Sequence, residues 1–335
     1  MESSGTYNTG FANLLGNKVY YQTKTSQVHH PLDDLGFDGS EYRTTVYGFP
    51  MLVFHKTAEN TYTYIGRYNC NLDKSANERY GFELEEPHPY ITKEISNEDG
   101  TTSIVHPLVA DVAECWELRD NQGLWCSFRY PQDARELQFK TPRSETNPSY
   151  EVAWHFEARY HPFGDQFEYA QNILLDKENN EDYSEDIGGT DKTAANAYVL
   201  DKFKNLKVLF DWLDSTDPIS VTNSEFASPI TLKVNGMLSD QEALEQGVTY
   251  SLDETVTPAI RLGTFTKDSA EYRRQKFYAE FSDHLDLHYC SVYFVMTELL
   301  LCYDSRGKNM MIASFGPQKE GGDYIWYPIF YDIDT

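Results

Sequence analysis

The chain has 335 residues, 40% of them apolar, enough to bury a sizeable core in one large domain or two ordinary ones. Lys and Arg total 28 against 53 Asp and Glu, a net charge of −25. Such a surface repels phosphate backbones and anionic lipid, which argues against specific nucleic-acid binding; its plain role is solubility, although it would also suit the lining of a DNA conduit.

Residues 1–42 are rich in Gly, Ser, Thr and Asn, lack periodicity and read as an irregular N-terminal arm, with no basic-then-apolar leader. From Arg43 the pattern turns to strands: Thr44–Val46, Met51–His55 and Thr61–Tyr68, punctuated by Gly48-Phe49-Pro50 and Glu59-Asn60. Ala113–Leu118 and Leu124–Phe128 form a second strand-like block, with Asp120–Gly123 as its turn. Asp176–Thr190 is acidic and reads as a solvated loop. Ala194–Leu213 carries helical spacing through Ala197, Leu200, Phe203, Leu206, Leu209, Phe210 and Leu213, and Asp217-Pro218 stops it. Residues 43–217 therefore read as a β-rich part, a mixed sheet with short helices.

Residues 218–266 read as a connector or insertion, with helix signal only around Asp240–Glu245. Residues 267–335 carry the strongest helical pattern, through Phe277, Phe281, Leu285, Tyr289, Val292, Met296, Leu299 and Leu300. That density predicts a buried segment over Phe277–Leu301 packed on the strands that follow, with a break at His284–His288 dividing it. Its apolar run is interrupted by Thr297 and Glu298 and is too short to span a bilayer. A strand at Met310–Phe315, a turn at Gly321-Gly322 and a last strand at Tyr324–Ile333 complete the reading.

The five cysteines, Cys70, Cys115, Cys126, Cys290 and Cys302, include no C-x-x-C pair, which argues against structural zinc and a disulfide framework. The 25 tyrosines offer contact area with a polar tip, suited to interfaces. The chemistry concentrates at the end of the chain. Asp304 opens a polar loop, Asn309 follows before a strand, and the next strand delivers Asp332 and Asp334. Phosphoryl transfer needs such parts: an Asp to orient the attacking hydroxyl, and an Asn and an Asp as hard oxygen ligands for Mg²⁺. Strand alternation puts Asp332 and Asp334 on one face, so either serves as the ligand. On spacing alone this is also an ordinary polar loop followed by an Asp-rich strand end.

The segments HLDLHYCSVYFVMTELLLCYDSRGKNMMI and YIWYPIFYDIDT resemble the C-terminal core of the CotH kinase-like family, named for a spore-coat kinase. YTYIGRYNCNLDKSANERYGFE resembles that family's strand-turn-strand in the "G-x-Y-N-F-N-x-D-K" form of phage and prophage structural proteins. AECWELRDNQGLWCSF, WHFEARY and LKVLFDWLDSTD resemble the same subgroup in the same order, so the likeness covers much of 50–217 and 268–335. It implies an α+β, kinase-like two-lobed fold, with 43–217 as the N-terminal part and 267–335 as the helix and hairpin of the C-terminal lobe. It implies Asp304 as the catalytic loop residue, Asn309 with Asp332 or Asp334 as metal ligands, and Lys74 and Arg67 as the basic groups holding phosphates. Lys74 has a plainer partner in Glu78, four residues on. Glu117 is a candidate ion-pair acid of the kinase type, or simply a strand-face carboxylate. His29, His30, His284 and His288 lack an H-E-x-x-H motif, and His284 and His288, four apart on one helix, read as a wet face.

Family members continue past the terminal strand, so the C-terminal lobe is expected to be incomplete at Thr335 and completed by a continuation or a second polypeptide. The expected function is structural: a bacteriophage tail or virion component, of the tail-tip or muzzle kind in crAss-like phages, made in the bacterial host cytoplasm. It assembles with copies of itself and neighbouring tail proteins, and a vestigial kinase site needs no cofactor. The alternative is a Ser/Thr protein kinase of the spore-coat type that uses Mg²⁺ and ATP.

Overall fold

The computed structural model describes residues 30–45, 48–71, 76–118, 138–140, 152–154, 156–174, 183–216, 230–233, 238–255, 257, 259–267, 269–299 and 310–329. In these residues the chain is α+β, with small antiparallel sheets and helices. In chain order the strands are β1 (Gly48–Ala58), β2 (Thr61–Asn71), β3 (Lys93–Ser96), β4 (Thr102–Val105), β5 (Glu114–Leu118), β6 (Gln138–Lys140), β7 (Val152–Trp154), β8 (Phe156–Tyr160), β9 (Ile230–Lys233), β10 (Val248–Asp253), β11 (Ile260–Phe265), β12 (Met310–Ser314) and β13 (Tyr327–Ile329). The longer helices are α1 (Gly164–Leu174), α2 (Lys192–Lys202), α3 (Lys204–Thr216), α4 (Asp240–Gln246), α5 (Ala270–Glu280) and α6 (Leu287–Leu299). They fall into two units, one of residues 1–127, 131–203 and 285–335, the other of 128–130 and 204–284.

The first unit is organised by a four-stranded sheet of order β13-β12-β5-β8. Alternation along β5 sends Cys115 to one face and Trp116 to the other. The Cys115 face, with Met311, Ala313, Tyr327 and Ile329, packs on Leu32, Tyr80, Phe82, Val109 and three residues of α6, Tyr289, Tyr293 and Met296. On the other face the Trp116 ring meets Phe167 of α1 edge-on at 5.2 Å and Phe203 at 5.4 Å. A one-turn helix at Pro31–Asp34 starts this core. His30 caps it by accepting from the Leu32 amide (3.2 Å), and Asp33 accepts in return from the His30 amide (2.7 Å).

The β1–β2 hairpin belongs to the same unit and, among the described residues, forms a two-stranded sheet. Its turn closes through Asn60, whose φ of 61° is left-handed backbone that asparagine tolerates. Val53 pairs with Gly66 and Phe54 with Tyr64, so Ile65 forms a bulge.

The second unit holds a three-stranded sheet of order β10-β11-β9. Val248 and Phe265 pack there with Ala243 of α4 and Tyr272 of α5. Ser239 caps α4 by accepting from the Glu242 amide, while Glu242 accepts from the Ser239 amide (2.9 Å). Trp212 of α3 stacks on Phe277 (5.1 Å) and on His284 (4.7 Å).

Several expectations are corrected here. Every ladder described is antiparallel rather than mixed, although an isolated parallel bridge joins Leu285 to Trp326. The single helix expected over 194–213 is two, broken at Phe203, whose ring turns inward onto Trp116. The connector 218–266 contains β9, β10 and β11 as well as the expected helix at Asp240. The helical stretch does break near His284, and α6 joins the core with β12 and β13, but Leu299 is 69% exposed rather than buried. The strands expected at Ala113–Leu118 and Met310–Phe315 form as β5 and β12. Those at Leu124–Phe128, and the Asp120–Gly123 turn, lie outside the described residues, as does the end of the last strand beyond Ile329.

Candidate functional site

The sequence puts its candidate chemistry on either side of the β12–β13 hairpin. Asp304, Asn309, Asp332, Asp334 and Lys74 all lie outside the described residues. The strands between them are described. β12 begins at Met310, the residue after Asn309, and Met311 stands opposite Ile329 at the close of β13. The pairing is antiparallel, so the chain enters β12 and leaves β13 at the same end of the sheet. β5 finishes there too, with Glu117 opposite Met311 and Leu118 opposite Met310.

That sheet end carries a buried ion pair. Glu117 is 1% exposed, and its carboxylate accepts from Nε of Arg159 on β8. The ladder explains the aim of Arg159: Cys115 pairs with Tyr160 and Trp116 with Ala158, leaving Arg159 as the extra residue of a bulge. Bulges re-aim side chains in this way. Two residues before Glu117 on β5, burial drives the Cys115 thiol far above its usual range, and the Glu117 carboxylate adds to the shift. Cys290 is likewise pushed up to about 12 by burial, with Asp286 contributing. Neither thiol is a nucleophile at neutral pH. Glu114, also buried, accepts from Trp116 Nε1 at 2.8 Å.

A second polar knot lies at the far end of β12. His88 is fully buried; its Nδ1 accepts from the amides of Tyr90 (3.1 Å) and Ile91 (3.2 Å). Nε2 therefore holds the proton and donates to the Phe315 carbonyl at 3.1 Å. Desolvation lowers its pKa to about 4, with His106 adding to the effect.

Of the remaining candidates, Arg67 is exposed on β2, opposite Leu52. Glu78 is exposed and pairs with its neighbour Arg79 at 3.2 Å. His30 is a helix cap, and His29 lies outside the described residues. His284 and His288 do not share a helix: His284 precedes α6 and stacks on Trp212, whereas His288 stands exposed in α6. Among the described residues no group of three or more His, Cys, Asp and Glu gathers as metal ligands do, and no helix is long and apolar enough to cross a membrane.

The comparisons with known proteins decide nothing further. No family model, curated protein or solved structure matches this chain. Arg159 and His88 are among the residues of these knots that the sequence did not single out. Arg159 sits in an ordinary strand pattern, and only the ladder shift exposes its role. His88 had a signal in its two flanking prolines, Pro87 and Pro89, which mark a tightly fixed turn.

Proposed function

We propose that this chain is a structural component of a bacteriophage tail, built on a CotH-type, kinase-like two-lobed fold and assembling in multiple copies. The observation that carries the reading is the placement of apolar surface. α6 buries Tyr289, Tyr293 and Met296 but turns Leu287, Phe294, Val295 and Leu299 to solvent along its other side. Exposed apolar side chains gathered on one side of a helix mark contacts with other chains. The family resemblance supplies the virion setting, with neighbouring tail proteins and a polypeptide completing the C-terminal lobe as partners. Asp304, Asn309, Asp332 and Asp334, with Lys74 and Arg67, form a vestigial site in this reading.

The second reading is a Ser/Thr kinase using Mg²⁺ and ATP. It draws support from the shared sheet end, where β12 begins beside Asn309 in sequence and β13 runs toward Asp332. Glu117 weighs against it, because that carboxylate is committed to Arg159 beneath the surface. Calorimetry on the intact polypeptide separates the two. The structural role predicts no saturable heat with ATP and Mg²⁺, together with multimers in light scattering. Saturable ATP binding that Asn309→Ala abolishes favours the kinase.

A further inference from the structure

The β1–β2 hairpin exposes apolar and aromatic side chains in the first unit. Its strands are 11 residues each, and isolated two-stranded hairpins are marginal in water. Leu52 is opposite Arg67, Phe54 opposite Tyr64 and Lys56 opposite Tyr62, so these six side chains share one face. On it Leu52, Phe54, Tyr62 and Tyr64 are 59%, 52%, 59% and 54% exposed. The Phe54 and Tyr64 rings meet across the strands at 5.4 Å, which holds the aromatic surface in place. The edges are less suited to contact: Pro50 removes a donor from β1, and the bulge at Ile65 twists β2.

Charge indicates what covers that face. The hairpin carries Lys56 and Arg67 against one carboxylate, Glu59 at its turn, within a chain of net charge −25. It is a locally cationic, aromatic surface on a strongly acidic molecule. Two hairpins placed face to face would set Lys56 and Arg67 against the same residues of the other copy. A hairpin placed on the acidic remainder of another copy meets opposite charge instead. An exposed run of this kind is present in Glu83, Glu85 and Glu86.

We infer that the outer face of the β1–β2 hairpin docks on the acidic surface of a second copy of this chain. The contact is heterologous, head to tail, the class that closes into rings or extends as filaments. This inference rests on the reading of the chain as a multi-copy assembly component and names the contact that reading requires.

The test is sedimentation of the full chain over a range of concentration and salt. Wild type is expected to form species larger than a dimer that weaken as salt rises, because screening removes the charge term. Phe54→Asp with Tyr64→Asp should weaken association at least tenfold, and Lys56→Glu alone should weaken it and flatten the salt dependence. Circular dichroism should remain native in both, since these side chains face solvent. Wild-type assembly that the hairpin variants leave unchanged overturns the inference while the multi-copy reading stands. A closed dimer that strengthens with salt likewise overturns it. A wild type that stays monomeric throughout overturns both.

Discussion

His88 is buried in a site arranged for the neutral imidazole. Two amides point at Nδ1, so protonation there would set a new N–H against two existing ones. Its pKa is about 4 in the folded state against an ordinary 6.5, so the unfolded chain binds the extra proton first. The stabilisation is complete above pH 6.5 and is lost as pH falls toward 4, a loss on the order of 2–3 kcal/mol. Denaturant titrations should show His88→Gln clearly weaker than wild type at pH 7 and the gap closing near pH 4. A gap independent of pH would count against this account. Gly316 approaches the same ring. Its φ is +101°, and an added Cβ would meet His88 Nε2 at 2.8 Å. Gly316→Ala should cost roughly 1–3 kcal/mol for the backbone alone.

The Glu117–Arg159 pair behaves differently under substitution. Arg159→Met leaves a carboxylate buried without its cation and should cost about 3–5 kcal/mol. Replacing both residues by apolar ones, Glu117→Leu with Arg159→Met, should recover most of that loss, because desolvation of the two charges is then avoided. A double-mutant cycle measures this directly; additive losses would mean that the two side chains do not act as a pair.

Among the elements, caps and turns were the parts written most plainly in local sequence. Glu59-Asn60 separates β1 from β2 as expected, and the helix signalled at Asp240 forms behind its Ser239–Glu242 box. Ser239→Ala should lower stability by about 1 kcal/mol. The break between α2 and α3 was not legible. Phe203 fits the helical period as well as its neighbours, and its inward turn is set by Trp116, 87 positions earlier in the chain. Phe203→Ala should cost about 3–5 kcal/mol, since that ring is fully buried. Leu299 shows the converse. Its spacing with Met296 suggests one apolar face, but α6 is apolar nearly all round, and periodicity alone does not say which side meets the sheet.

For the whole molecule, composition implied a sizeable core and an acidic surface, and the α+β class was implied by the family resemblance. Composition was silent on which of the many tyrosines lie inside. Tyr80, Tyr289, Tyr293 and Tyr327 are core residues, whereas Tyr62 and Tyr64 stand in solvent. The candidate site was legible only as a motif at the chain's end. Its described surroundings, the Glu117–Arg159 pair above all, depend on strand register, which no local pattern specifies.

The inward tyrosines set an alkaline limit on the fold. Burial pushes the phenols of Tyr160 and Tyr198 up to about 12 and those of Tyr289, Tyr324 and Tyr327 higher still. An unfolded chain releases these protons near pH 10, while the folded chain retains them. Stability must therefore fall as pH rises above 10, and more steeply with every phenol that only unfolding can ionise. In a spectrophotometric titration the solvent-facing tyrosines should ionise first. The inward ones should follow in one sharp step, at the pH where the circular dichroism collapses, so that tyrosinate absorbance becomes a direct count of molecules that have lost their core.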